Sequence, residues 1–307
     1  MSASSSISRG RGRNRGKGKP AAGGNNRESR RTLGRETVDI ANSGMCGTVE
    51  IGHLVEAARS GRVEYGPKDD VVSEWDAIRG EAAEVETVFE VTPESSMKAA
   101  RRLDAAAPGQ VAVLSFASAK NPGGGVLKGS KAQEEDLCRA SALYKCLLGA
   151  PGYAANKAND RRGLYTDHAL YVPQVPVFRY PNGRLIASSS ELKVMSFVSS
   201  AAPNRGRLGK NRSGECKAAL VRRIERALAM MAVHGHRHIV LGAFGCGVFK
   251  NPADEVAAVF ADVLRSPRFA GVFEHVVFAV LCNSTGRPTA NFRAFAAKFA
   301  AEGGASD

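Results

Sequence analysis

Along most of the chain, apolar and polar positions follow one of two periods. Residues 213–233 place Ala219, Leu220, Ile224, Leu228 and Met231 on one stripe of a 3.6-residue repeat, which predicts a long helix with one buried face. Ser213, with Glu215 close behind it, supplies a helix start signal. Residues 110–117 (QVAVLSFA) and 192–199 are short β-rich apolar runs of the kind buried on both faces of a sheet. Further strands are expected at 84–91, 237–244 and 274–281, and helices at 93–106, 252–264 and 288–299. Two extended pieces lie around 169–180, but Pro173, Pro176 and Pro181 lack the N–H a central strand needs and argue against one there. Residues 36–61 are helix-prone and are expected to pack on the core as an N-terminal extension. Strands separated by helices of ten or more residues predict an α/β fold, with a parallel or mixed sheet covered on both faces. Ligands of such sheets bind where loops leave the carboxyl ends of strands.

Charge changes this picture only at the N-terminus. The 307 residues carry 43 Lys and Arg against 30 Asp and Glu, a net charge of +13. Residues 1–35 hold ten of those cations and a single acid, Glu28, so the tail carries +9 and the remaining 272 residues only +4. The tail interleaves Gly with Arg and Lys and has too few apolar side chains to build a core, which predicts disorder. Two roles stay open for it: a tether for nucleic acid or another polyanion, with nuclear addressing as a variant, or a solubilising tail. No apolar stretch is long enough to span a bilayer, and no apolar run follows the N-terminal charges as in a secretory signal. The six cysteines form no C-x-x-C pair, so a reducing intracellular compartment, cytoplasmic or nuclear, is expected. His234, His236 and His238 have no Cys or acid at ligand spacing, so no metal is assigned. Their position at a helix end suggests cations placed against the negative end of the dipole.

Two glycine-rich loops carry the candidate chemistry. The first follows the 110–117 strand and reads SAKNPGGGVLKGSKAQEEDLCRASALY. Gly123, Gly124 and Gly125 strip the side chains from the backbone and permit positive φ, so successive N–H groups can converge on a ligand. After seven intervening residues, Gln133, Glu134 and Glu135 open a helix expected to continue through Leu137, Ala140, Leu143 and Tyr144. Acids in a first turn are often dipole complements, but two adjacent ones point about 100° apart. One can therefore be buried and reactive while the other supports it. The second loop follows the 237–244 strand (LGAFGCGVFKNPADEV). Gly242, Gly245 and Gly247 let it turn tightly into a helix starting near Pro252, an arrangement suited to a diphosphate. Its spacing is not that of the dinucleotide fingerprint. On pattern alone Phe249 fits the core better than a ribose-stacking role. Cys246, between two glycines, resembles a nucleophile position without a histidine to activate it.

The spacing of Gly123-Gly124-Gly125 and Gln133-Glu134-Glu135 resembles the GGG-x(6–8)-QEE signature of poly(ADP-ribose) glycohydrolases, in their bacterial branch. The stretches 171–179, 202–204, 241–249 and 276–281 fit the same family, and the likeness spans about 36–300. The resemblance implies a macrodomain-like three-layer αβα sandwich with a mixed central sheet and an N-terminal helical extension. That divides the chain into a tail at 1–35, the extension at 36–90 and a catalytic core at 91–307. It also implies a metal-independent glycosidase, needing no cofactor, that hydrolyses ribose–ribose O-glycosidic bonds. Glu135 would be the general acid and base, Glu134 would orient the ribose, and Gln133 would support the loop. Gly123, Gly124 and Gly125 would wrap the distal ADP-ribose, with Asn121 touching the same ribose. Gly245, Cys246, Gly247, Val248 and Phe249 would form the diphosphate loop, which moves Phe249 from core to site. A helix N-terminus favours a carboxylate whereas a general acid needs its proton, so burial, Glu134 and the substrate diphosphate have to oppose the dipole at Glu135. Expected partners are poly(ADP-ribose) or ADP-ribosylated proteins, in the reversal of ADP-ribosylation and the DNA damage response, with the protein a monomer and no membrane involved. Three readings compete: a macrodomain that binds ADP-ribose without cleaving it, a hydrolase for single ADP-ribose units, and an RNA-associated protein led by its tail with the folded body a scaffold.

Overall fold

The computed structural model describes residues 27–81 and 85–299. They form, in order, α1 (Arg27–Ser43), the hairpin β1 (Met45–Cys46) and β2 (Val49–Glu50), α2 (Gly52–Ser60), β3 (Val63–Tyr65), α3 (Val71–Ile78), β4 (Val88–Thr92) and α4 (Ser96–Ala106). The second half continues with β5 (Val111–Phe116), α5 (Gln133–Ala140), α6 (Leu143–Leu147), α7 (Pro151–Ala158), β6 (Ala169–Val177), β7 (Lys193–Ser200), α8 (Ser213–Val233), β8 (His238–Leu241), α9 (Ala253–Leu264), β9 (His275–Ala279) and α10 (Ala290–Phe299).

Seven strands make one sheet in the order β3-β6-β7-β5-β8-β9-β4. The pairs β3/β6 and β6/β7 are antiparallel, and the four pairs from β7 across to β4 are parallel. Side chains of β5 alternate between two separate cores. Val111 and Val113 face the layer of α1, α2, α4, α5 and α6, while Ala112 and Leu114 face α3, α8, α9 and α10. The result is the expected three-layer αβα sandwich with a mixed sheet. The stripe of α8 is buried throughout, from Ala219 to Met231.

Four expectations about the elements change. The 36–90 extension is part of the sheet, since β3 and β4 are its two edge strands. The tail as expected ends too late: residues 27–35 are helical, and residues 1–26 lie outside the described residues. Composition hid this helix because docking supports it. The Nε groups of Arg27 and Arg30 donate to the carbonyls of Lys128 and Gly129 at 2.9 Å each, and Thr37, Ile40 and Ala41 are buried. The third change is β6, an interior strand despite its prolines. Its ladder with β7 breaks between Val172 and Val175, which takes Pro173 out of the pairing, and Gln174 has φ +46°. On the other edge β3 covers only Ala169–Tyr171, so nothing there needs an N–H from Pro176. Finally, the helix opened by Gln133 stops at Ser141, whose extended backbone bridges to Val177 before α6 begins.

The histidines are not dipole complements. His234 stacks on Tyr171 with ring centroids 3.6 Å apart, its Nε2 lies 3.0 Å from the Tyr65 hydroxyl, and burial pushes its pKa from 6.5 down to about 4. Burial also lowers His236, whose Nδ1 meets the Gln110 carbonyl at 3.0 Å. Both rings are therefore neutral in the fold. Between pH 6.5 and about 4 the unfolded chain binds more protons than the native one, so stability falls as pH drops through that window. The urea midpoint should decline from pH 7 to pH 4.5, and His234→Phe, which keeps the stacking, should decline less. Parallel curves for the two proteins would disprove this assignment.

Candidate active site

Strands β5 and β8 are parallel neighbours, so the loops leaving their carboxyl ends converge on one side of the sheet. Between them lies a cavity of about 850 Å³, in the range of pockets that enclose a drug-sized ligand. Gln133 fixes its floor. The Oε1 of Gln133 accepts from the Phe116 N–H at 2.9 Å, and Nε2 donates to the Leu114 carbonyl at 2.8 Å and to Ser96 Oγ at 3.1 Å. One side chain thus ties the start of α5 to the end of β5 and the first turn of α4, and both of its amide hydrogens are used in doing so.

Glu134 and Glu135 follow on α5, 3% and 7% exposed. Glu134 Oε2 accepts from the Ser118 N–H at 2.7 Å, while its buried Oε1 has no partner. Burial raises the Glu134 pKa well above the carboxylate range, and the charge of Glu135 adds to the effect. Glu135 Oε1 accepts from the Gly125 N–H at 2.8 Å. Gly124 lies against both carboxylates: it has φ +60°, and a Cβ there would sit 2.6 Å from Glu135 Oε1 and 2.9 Å from Glu134 Oε2. The glycine run is therefore the surface on which the acid pair rests. On the opposite side, Gly245 (φ +73°) packs so closely that a Cβ would come 2.4 Å from Asn251 Nδ2 and 2.5 Å from the Cβ of Ala202. Asn251 is buried and donates to the carbonyls of Pro203 and Gly245, which holds the second loop in its turn.

Residues 34–180 match the family described as microbial-type PARG, catalytic domain. The chain is 42% identical to the poly(ADP-ribose) glycohydrolase of Thermomonospora curvata, covering 89% of this chain and 100% of that one with a TM-score of 0.80. Structures of that enzyme bound to the inhibitor ADP-HPD, and of a mutant with a glutamate replaced by alanine, are equally similar in sequence. The Deinococcus radiodurans enzyme in complex with ADP-ribose is 38% identical, with 82% of this chain and 98% of that one covered and a TM-score of 0.72. No curated protein matches. The chain belongs to the microbial-type poly(ADP-ribose) glycohydrolases.

Within this glycohydrolase the expected residues fall in two groups. Asn121, Gly124, Gly125, Gln133, Glu134, Glu135, Gly245, Gly247, Val248 and Phe249 line the cavity. Gly123 packs instead against the Tyr144 ring and Cys138, behind the surface. Cys246 is also absent from the lining, and burial pushes its thiol up to about 12, so it is a poor nucleophile at neutral pH. Phe249 is both core and cavity wall, with its ring centroid 6.0 Å from that of Tyr165. Sequence reasoning missed Phe116, Ser118, Val280, Leu281 and Asn291. The strand-end rule placed the first four in the right region, but nothing in their identities separated them from core or loop. Asn291, in the first turn of α10, gave no signal at all. Among the described residues no cluster of His, Cys, Asp or Glu could hold a metal ion, and no helix is long and apolar enough to cross a membrane.

Proposed function

We propose that the cavity binds the terminal ADP-ribose of poly(ADP-ribose), and that Glu135 cleaves the bond joining it to the next unit. The buried Glu134–Glu135 pair against Gly124 carries this reading. The scissile ribose–ribose bond breaks through an oxocarbenium-like state, so its leaving oxygen needs a proton and the sugar carbon then needs a water. Glu135 supplies the proton and, as the carboxylate so formed, takes one from the incoming water. Its hydrogen bond from the Gly125 N–H leaves the other oxygen of the carboxyl for the leaving group. Glu134 plays a different part. Its unpartnered Oε1 is a buried polar atom, costly to leave bare, and a hydrogen bond between it and a ribose hydroxyl would fix the sugar. Phe116, Phe244 and Val280 offer an apolar wall for the adenine, and the Gly245–Phe249 turn a bed for the diphosphate.

The Deinococcus complex with ADP-ribose and the Thermomonospora complex with ADP-HPD support a nucleotide of this size in the cavity. The basic tail is a second contact with the same polyanion, suited to retaining long chains at low salt. Purified full-length protein incubated with poly(ADP-ribose) should release free ADP-ribose, and a protein carrying single ADP-ribose units, tested beside it, should be a poorer substrate. No release from polymer would refute the reading, and preference for the single unit would reassign the substrate.

A further inference from the structure

Four of the five non-glycine residues with positive φ among the described residues gather at one place: Arg161 (+48°), Arg162 (+57°), Tyr165 (+60°) and Lys250 (+62°). Sparsely populated backbone of this kind persists only where surrounding contacts hold it, and it concentrates at functional sites. The contacts are present. Arg223, 2% exposed, donates to the carbonyls of Leu164 at 2.6 Å and Ala201 at 2.9 Å and pairs with Asp167 at 2.9 Å. That buried guanidinium pins the 160–167 loop to the sheet.

The loop touches both cavity loops, since Tyr165 packs with Ala119, next to Ser118, and with Phe249. Tyr165 meets the Phe249 ring, the Gly206 N–H donates to the Phe249 carbonyl at 3.1 Å, and Lys120 adjoins Asn121 in the loop whose Ser118 N–H holds Glu134. Its surface is strongly cationic. Arg161, Arg162 and Lys250 are exposed and, among the described residues, make no ion pair within 4.0 Å. Lys120 and Arg207 share one carboxylate, Asp160, at 3.0 and 2.9 Å. Other acids around it are held by other arginines: Glu215 by Arg212 at 2.9 and 3.0 Å, Asp167 by Arg222 and Arg223, and Glu255 by Arg205. None of these five cations lines the cavity. They form a ledge of excess positive charge just outside it, five cations sharing the single carboxylate of Asp160.

We propose that this ledge binds the diphosphate of the neighbouring unit, the one that leaves when the bond at Glu135 breaks. The inference rests on the reading that the cavity holds the terminal unit. With that unit enclosed, the next one must emerge beside Glu134 and Glu135, and its two phosphates are the only charged groups it brings to the surface. Guanidinium groups match phosphate oxygens with two parallel hydrogen bonds, and an arginine pair held by a rigid loop meets them with little ordering cost. The ledge makes affinity depend on the leaving unit, which free ADP-ribose lacks.

The test is the double variant Arg161→Gln and Arg162→Gln in the full-length protein, where Gln keeps a side chain and leaves the backbone demand unchanged. At low salt the KM for polymer should rise about tenfold, with kcat and the affinity for free ADP-ribose retained and the salt dependence of polymer binding shallower. An unchanged polymer KM would overturn the proposal. So would an equal loss of ADP-ribose affinity, because the loop would then act by placing Phe249. Polymer affinity relative to ADP-ribose is read by direct binding as well. Wild-type protein that binds polymer without releasing ADP-ribose would reject the catalytic reading, while the affinity ratio of the double variant still decides the ledge.

Discussion

Glu135→Gln is expected to lower kcat on poly(ADP-ribose) by about a thousandfold, a loss of about 4 kcal/mol of transition-state stabilisation, while ADP-ribose still binds. Gln keeps the shape of the side chain and can still accept from the Gly125 N–H, so the glycine loop stays where it is. What it removes is the transferable proton and the base formed after transfer, which act only during reaction. Glu134→Gln separates the two acids. Burial already favours the neutral form of Glu134, so an amide disturbs the local charge less there, and the defect should appear in KM as much as in kcat. Single-turnover rates together with ADP-ribose titration of each variant would measure this difference. Equal and modest losses in both variants would show that neither carboxyl acts as the acid.

The reach of the sequence can be judged element by element. The α8 stripe and the apolar run of β5 were legible because one period, sustained over enough residues, leaves a single buried face. The acid pair was legible because its spacing from three glycines is a local pattern, and the cavity forms between loops that leave adjacent parallel strands. Features that depend on distant partners were not legible. Strand β6 keeps Pro173 because its ladder with β7 breaks there, and Pro176 because its neighbour β3 is too short to require an N–H, a fact held in residues 63–65 and not in β6 itself. The helical start of α1 depends on carbonyls of Lys128 and Gly129, about a hundred positions away. His234 looked like a charged helix end, but it is buried against Tyr171 and that burial disfavours its charged form. Gln133 was expected to support its loop. Its three hydrogen bonds run to β5 and to α4, and they explain why an amide, with one donor end and one acceptor end, stands before the acids.

Gly124→Ala should cost nearly as much activity as the loss of an acid, although the residue carries no functional group. The added methyl would stand 2.6 Å from Glu135 Oε1 and 2.9 Å from Glu134 Oε2, both closer than a carbon tolerates, and 3.0 Å from Glu135 Cδ, which is tight. Both carboxylates are buried on a helix whose start is fixed by Gln133, so they cannot retreat together without breaking the bonds from Ser118 and Gly125. A displacement of about 1 Å at reacting groups is enough for a hundredfold loss, and moving both acids should bring kcat/KM down by roughly 10²- to 10³-fold. The backbone adds its own penalty, since φ +60° costs an L-residue about 1–2 kcal/mol. Gly47 separates the two effects. It has φ +59° in the turn between β1 and β2, with nothing within 4 Å of its Cβ position. Gly47→Ala should therefore show the stability loss with wild-type turnover, whereas Gly124→Ala should show the loss of turnover as well. If both variants lose stability alike and both turn over polymer at the wild-type rate, the acid pair does not depend on the bare backbone at Gly124.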